Sequence, residues 1–168
     1  ESWNGTNWTE VNDLNKGRNG VSGAGVSNTS ALAYAGSSPG TPSPNGATEV
    51  WNGTNWTEVN DMNTDKNSMA QGTGTATSAL AAGGYDEPAN ASTNQTELWN
   101  GTNWTEVNDL NLARRLMMGQ GVDSTSSIVA GGFMTPPTGS TANTETWNGT
   151  NWTEVNNLNQ AKYANGGL

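Results

Sequence analysis

Cysteine and histidine are both absent from this 168-residue chain. Their absence excludes disulfides, a cysteine nucleophile, a thiolate or imidazole metal centre and a histidine general base. Large side chains are scarce outside tryptophan, with three Tyr and one Phe beside eight Trp. Gly, Ala, Ser, Thr and Asn make up most of the remainder. That composition cannot fill a conventional layered core, yet the Trp content argues against plain disorder. Positive charge is sparse as well: six Lys and Arg face fifteen Asp and Glu, a net −9. That balance argues against nucleic acid and anionic membranes as partners. No run is long or apolar enough to cross a bilayer, which argues against membrane insertion. No signal peptide is visible and no Met opens the chain. The expectation is a processed product or a segment of something longer.

What is present is repetition. The phrase "WNGTNWTEVNDLN" runs from Trp3 to Asn15 and returns as Trp51–Asn63, Trp99–Asn111 and Trp147–Asn159, always 48 residues on. Only its eleventh and twelfth positions change, to Asn157 once and to Met62 once. The residues between copies drift. An array of identical scaffold parts carrying variable loops explains this better than an enzyme with one site. The chain has the length of one domain, and a period of this size marks propeller blades or helical arrays. Helices are disfavoured, because no 3.6-residue apolar stripe appears and Gly, Thr, Ser and Asn fill the intervals.

Strand signals are stronger. "TEVW", "TELW" and "TETW" lead into an Asn-Gly turn and "NWTEV" leads out. With a two-residue turn Trp3 faces Thr6; with a four-residue loop it faces Trp8. Both registers put Glu1, Trp3, Trp8 and Glu10 on one face and Ser2, Thr9 and Val11 on the other. A sheet with something to bury on both faces suits a place between two other sheets. Two more strands precede this hairpin in each period. One is "SALAYAGS" (Ser30–Ser37), matched by "SALAAGGY" (Ser78–Tyr85) and "SSIVAGGF" (Ser126–Phe133). Before it lies a strand of small residues, suited to a crowded innermost position: "RNGVSGAGV", "KNSMAQGTG", "RRLMMGQGV" and finally "KYANGGL".

This pattern resembles the kelch repeat. The resemblance rests on the Gly83-Gly84 and Gly131-Gly132 pairs, with Ala35-Gly36 in the first copy. It rests also on Glu1, Glu49, Glu97 and Glu145 before an aromatic, on Trp8, Trp56, Trp104 and Trp152 opening the last strand, and on Arg18, Lys66, Arg114 and Lys162 before the first strand. The wording "WNGTNWTEV" is similar to kelch-like repeat proteins of aquatic bacteria and their phages, many of the latter thought to be virion parts. The resemblance implies an all-β fold of four-stranded antiparallel blades, a kelch-like β-propeller either closed or open and incomplete. The expected division is a half blade at 1–14, blades at 15–62, 63–110 and 111–158, and the first strand of a further blade at 159–168. That leaves three and a half periods, so closure is expected from a longer chain or a neighbouring copy. An open stack of the same units is the alternative architecture.

Each chemistry-bearing residue type has a functional and a structural reading. Paired carboxylates can hydrolyse glycosides, but eleven of the fifteen repeat with the phrase, leaving Asp65, Asp86, Glu87 and Asp123 outside it. The bases at one phase read either as a phosphate patch or as a recurring ion pair. The ion pair is preferred, with Glu49 facing Arg18 or Lys66 and Glu97 facing Lys66 or Arg114. Glu145 and Lys162 are the further members of the set. Asn-Asp clusters such as "VNDLN" offer oxygen ligands for Ca²⁺ but lack the spacing of a known calcium loop, and Asx turns explain them. No cofactor is expected. Eleven Asn-x-Ser/Thr triplets, Asn4 and Asn7 among them, read as turn chemistry before glycan acceptors. The eight residues Trp3, Trp8, Trp51, Trp56, Trp99, Trp104, Trp147 and Trp152 read as core before sugar-stacking platforms, burial of each being worth roughly 3 kcal/mol.

The connections between second and third strands differ in every copy: Ser38–Ala47, Asp86–Gln95 and Met134–Asn143. Loops on a rigid scaffold are where binding proteins place specificity. Candidate binding residues there are Ser38, Asn45, Asp86, Glu87, Asn90, Thr135 and Thr138. The functional expectation is a non-enzymatic structural or adhesive repeat protein outside the cell, at a cell surface or in a virion, as an appendage or fibre component. Its partners would be other copies or further repeats of itself, and a surface glycan or host receptor. A carbohydrate- or protein-binding propeller is the alternative, and a propeller glycosidase the third reading.

Overall fold

In a computed structural model the protein is all-β, and the described residues, 1–38 and 45–163, include no helix. A hairpin comes first, formed by β1 (Ser2–Trp3) and β2 (Trp8–Thr9). The first four-stranded antiparallel sheet holds β3 (Ser22–Ser27), β4 (Ser30–Tyr34), β5 (Thr48–Trp51) and β6 (Trp56–Val59) in that order. The second holds β7 (Gly74–Thr75), β8 (Ser78–Asp86), β9 (Ala91–Trp99) and β10 (Trp104–Val107). Then come β11 (Met118–Asp123) and β12 (Ser126–Ala130), a two-stranded excursion of β13 (Phe133–Met134) and β14 (Gly139–Ser140), and finally β15 (Thr144–Trp147) and β16 (Trp152–Val155). The third sheet is ordered β11-β12-β15-β16. The last expected strand, "KYANGGL", lies outside the described residues beyond Tyr163.

The hairpin takes the four-residue loop. Trp3 faces Trp8, Trp51 faces Trp56, Trp99 faces Trp104 and Trp147 faces Trp152. The Asn4 side chain closes the loop, its Oδ1 accepting from the amides of Thr6 and Asn7 at 2.9 Å each. Asn52, Asn100 and Asn148 do the same. An Asx turn of this kind needs a short side chain with a carbonyl or carboxylate oxygen at that position, which restricts it to Asn or Asp.

Small residues mark where the sheets converge. The Gly72 amide donates to Gly23 O at 3.1 Å, and Thr73 bridges Gly121 in parallel. A Cβ on Gly119 would come within 2.5 Å of Gln71 O. The first strands of the three sheets therefore lie backbone to backbone, with the two-residue β7 between β3 and β11.

Apolar residues fill the spaces between successive sheets. Ala24, Leu32 and Tyr34 of the first sheet meet Ala79, Ala81, Trp99 and Trp104 of the second, with Met62 and Met69. Leu80 and Ala82 of the second meet Val129, Trp147 and Trp152 of the third, with Leu110 and Met117. Each sheet thus buries both faces only where it has a neighbour on both sides. This corrects the expectation of eight core tryptophans. Trp3 is 44% and Trp8 64% exposed, and Trp56 is half-buried, while Trp51, Trp99, Trp104, Trp147 and Trp152 are buried. Tyr34 packs on Trp104 with ring centroids 5.0 Å apart; among the described residues nothing equivalent stands beside Trp8 or Trp56.

Candidate functional site

The buried polar centres are the first candidate. In the first sheet the Arg18 Nη2 donates to Glu49 Oε1 at 2.8 Å, with both side chains fully buried. Its Nη1 donates to Ala35 O at 2.8 Å and to Ala47 O. The other carboxylate oxygen, Glu49 Oε2, accepts from the Asn15 amide at 2.7 Å and from Asn15 Nδ2 at 2.9 Å. The third sheet repeats the set. Arg114 Nη2 donates to Glu145 Oε1 at 2.8 Å, and Asn111 donates twice to Glu145 Oε2 at 2.8 Å. In the second sheet Lys66 replaces the arginine. Its Nζ lies 3.4 Å from Glu97 Oε1 and 3.4 Å from Gln95 O. Thr64 compensates, donating its hydroxyl to Glu97 Oε1 at 2.6 Å. Each base thus pairs with the Glu of its own sheet. Burial pushes the Lys66 ammonium below its usual range, opposed by Glu97; burial likewise lowers Arg114, opposed by Glu145.

A buried carboxylate needs every lone pair satisfied, and these three are satisfied by structural donors with no face left open. The asparagines that end each phrase were not foreseen as partners. Their signal was legible: Asn15, Asn63 and Asn111 are invariant and stand 34 residues before the glutamates they bind. Lys162 is exposed, and among the described residues its side chain has no ion pair.

The phrase also binds itself. Asn12 Nδ2 donates to Thr54 O at 2.9 Å and to Asn55 Oδ1 at 2.8 Å. Asn60 makes the same pair of bonds to Thr102 and Asn103, and Asn108 to Thr150 and Asn151, at the same distances. The tenth residue of each of the first three copies thus hooks the turn of the next. A residue that contacts another place of the same phrase in a neighbouring copy cannot drift alone. The eleventh position needs only an acceptor: Asp61, Asp109 and Asn157 each take a backbone amide, from Thr48, Thr96 and Thr144. That is why Asn replaces Asp there. Of the "VNDLN" oxygens considered for Ca²⁺, Asp61 Oδ1 and Asp109 Oδ1 accept backbone amides, and no group of three or more His, Cys, Asp or Glu side chains that could hold a metal occurs among the described residues.

The variable loops are the second candidate. Residues 39–44 lie outside the described set. At its borders Asn45 Nδ2 donates to Ser38 Oγ at 3.1 Å. Ser37 Oγ and Asn67 Nδ2 both donate to Glu87 Oε1, at 3.1 and 2.8 Å. Asp86 Oδ1 accepts from the Ala89 amide at 3.0 Å, and the Tyr85 hydroxyl donates to Asn90 Oδ1. The Ser92 amide donates to Thr135 O at 2.7 Å. Pro136, Pro137 and Thr138 are exposed at the tip of the third connection. These contacts join the connections of successive sheets into one row. Along it, the Arg115 guanidinium lies 3.9 Å from the centroid of the Tyr85 ring and 5.4 Å from that of Phe133, which meets Tyr163 edge-on.

No family model and no curated protein matches this chain. Among solved structures it is similar to "Structure of YjhT", a kelch/β-propeller-like protein, with a TM-score of 0.63 at 15% identity over 86% of this chain. The match takes in 47% of YjhT, so the chain spans about half the length of that protein. At this identity the likeness speaks for the fold alone.

Proposed function

We propose that this is a non-enzymatic repeat protein, structural or adhesive, that works outside the cell as part of a fibre, appendage or virion. Its sheets are read as blades of a kelch-like β-propeller, closed or open, in line with their strand order and with the likeness to YjhT. The observation that carries the reading is the fate of the charged groups. Glu49, Glu97 and Glu145 are 0% exposed and saturated by a base and an asparagine. Groups that would supply acid–base chemistry are spent on holding sheets together. The tryptophan hairpins and self-binding turns serve the same end, and the loop row is left to vary.

The second reading, a carbohydrate- or protein-binding propeller, is favoured by Arg115 stacked on Tyr85 beside Phe133. Flat aromatic faces with a guanidinium suit planar or sugar ligands. A glycan-binding screen with wild type and Tyr85→Ala separates the readings. The structural reading expects no glycan dependent on Tyr85. Specific binding lost in Tyr85→Ala would replace it with the second, and turnover of a glycoside panel would overturn both.

A further inference from the structure

The residue that follows the buried base in each unit borders the loop row. Asn19, Asn67 and Arg115 hold this place, and each is bridged through its backbone to the residue before its own connection: Ser37, Tyr85 and Phe133. Arg115 N meets Phe133 O at 2.9 Å, and Phe133 N meets Arg115 O at 2.8 Å. The side chain then reaches the preceding unit. Asn67 Nδ2 donates to Ser37 Oγ at 2.9 Å and to Glu87 Oε1 at 2.8 Å, so both of its protons are spent. Arg115, one period on, meets a ring where Asn67 meets a hydroxyl: its guanidinium lies over Tyr85. The place of Glu87 is taken 48 residues on by Thr135, so that place supplies no carboxylate to Arg115. Among the described residues the Arg115 side chain makes no hydrogen bond and no ion pair. Three other bases are spent on buried glutamates, and Lys16 pairs with Glu58 at 2.8 Å. Arg115 and Lys162 are left, and of these two Arg115 is the one held on aromatic rings. With fifteen acids to six bases, an unpaired guanidinium runs against the charge balance of the chain.

A guanidinium stacked on a ring keeps its N–H donors at its edge, in the plane where one carboxylate can take two of them. Tyr85 and Phe133 beside it are each partly exposed. The polar groups around these rings are committed. The Tyr85 hydroxyl donates to Asn90 Oδ1, Ser92 donates its amide to Thr135 O and its hydroxyl to Phe133 O, and Glu87 accepts from Ser37 and Asn67. A sugar needs partners for several hydroxyls, and few remain here. What remains is a forked anion receptor beside apolar rings. We propose that this is a docking site for a polypeptide partner that presents a carboxylate next to an apolar side chain, the carboxylate to Arg115 and the side chain to Tyr85 and Phe133. Arginine and aromatic residues dominate contacts of this kind between proteins. The inference rests on the structural or adhesive reading and deepens it: this is a contact through which the scaffold holds something other than itself.

N-acetyl-phenylalanine carries the proposed pair of groups, and N-acetyl-phenylalaninamide carries the ring without the charge. Each is titrated into the chain and followed by NMR at the Arg115 Nε–H and at the Tyr85 and Phe133 ring signals. The acid should shift these signals saturably and bind roughly tenfold more tightly than the amide, the scale of one hydrogen bond to a charged group. Arg115→Gln should bring the acid down to the level of the amide. Arg115→Lys keeps the charge without the fork and should fall between. Methyl glucuronide, the same charge on a pyranose, is the sugar arm. The proposal is overturned if acid and amide bind alike, if the acid gives no saturable shift, or if Arg115→Gln leaves its affinity unchanged. Methyl glucuronide binding more tightly than the acid, and lost in Arg115→Gln, would replace the peptide with a glycan and favour the second reading. If Arg115→Gln does not fold, acid against amide on wild type still decides. A failure at Arg115 leaves the structural reading standing, since that reading falls to Tyr85-dependent glycan binding or to glycoside turnover.

Discussion

The Trp104 indole N–H donates to the Thr48 hydroxyl at 3.0 Å, across the boundary between two sheets and 56 residues along the chain. Trp152 repeats this bond with Thr96 at 3.1 Å. Both ends are buried, so the bond fixes how one sheet sits on the next. Thr48→Val keeps the shape and leaves the indole donor unsatisfied. The expected loss is about 1–3 kcal/mol, read by denaturant unfolding. Trp104→Ala should cost about 3–5 kcal/mol. The chemically identical Trp8→Ala should cost much less, since Trp8 is mostly in water.

The second centre is the weakest of the three. Arg18 and Arg114 each reach two backbone carbonyls and their Glu, whereas Lys66 reaches one carbonyl at 3.4 Å. Lys66→Arg should raise stability by about 1–2 kcal/mol, the scale of one added hydrogen bond to a charged group, and raise the melting temperature. Removing the carboxylate instead, as Glu97→Ala, strands a buried ammonium and should cost about 3–5 kcal/mol. A melting temperature unchanged in Lys66→Arg would show that Thr64 already makes good the deficit.

Ala35 sits at φ 60°, where the other two sheets have Gly83 at 63° and Gly131 at 67°. A Cβ on Gly83 would lie 2.4 Å from Arg114 O. The equivalent contact at Ala35 coincides with a longer bond: Gly36 N to Lys66 O is 3.3 Å, against 3.0 Å at Gly84 and 2.8 Å at Gly132. Ala35→Gly relieves a left-handed alanine and should stabilise by about 1 kcal/mol. Gly83→Ala should destabilise by more than that.

Alkaline pH should expose Tyr34. Burial pushes its phenol up to about 12 from an ordinary 10.0, against a smaller opposing influence of Thr73. Among the described residues no well-formed hydrogen bond reaches the hydroxyl, and Thr73, its polar neighbour, donates its own proton to Leu80 O. The unfolded chain therefore releases this proton first. Stability contributed by Tyr34 is fully present below pH 10 and is lost as pH rises toward 12, by on the order of 2–3 kcal/mol. Lys66 acts in the opposite sense, because its folded-state value is lowered. Subtracting the pH profile of Tyr34→Phe from that of wild type isolates the tyrosine. A difference that stays flat from pH 9 to 12 would contradict the assignment.

Most of the scaffold was legible because periodicity survives in the phrase. Strand order, the hairpin faces and the Glu-to-base phase all follow from residues that recur every 48 places. What was not legible depends on neighbours. Trp3 and Trp8 read as core because Trp99 and Trp104 are core, and sequence identity hides the difference in what stands opposite. The hook from Asn60 to Asn103 escaped because Asn in a turn already has a local explanation. The loop row escaped because Ser37 meets Glu87, and Ser92 meets Thr135, through contacts specific to each copy.

That hook has a consequence for how such a chain changes over time. It reads only residues of the phrase and is blind to the sequence between phrases. Each unit therefore carries the same plug and the same socket, whatever loop it displays. For this joint the units are interchangeable: the second and third could trade places, or one could be duplicated, and the hook would still form, while the copy-specific contacts such as Ser37 to Glu87 would have to be made anew. An array lengthened or shortened in whole steps of 48 residues would inherit the hook at every step.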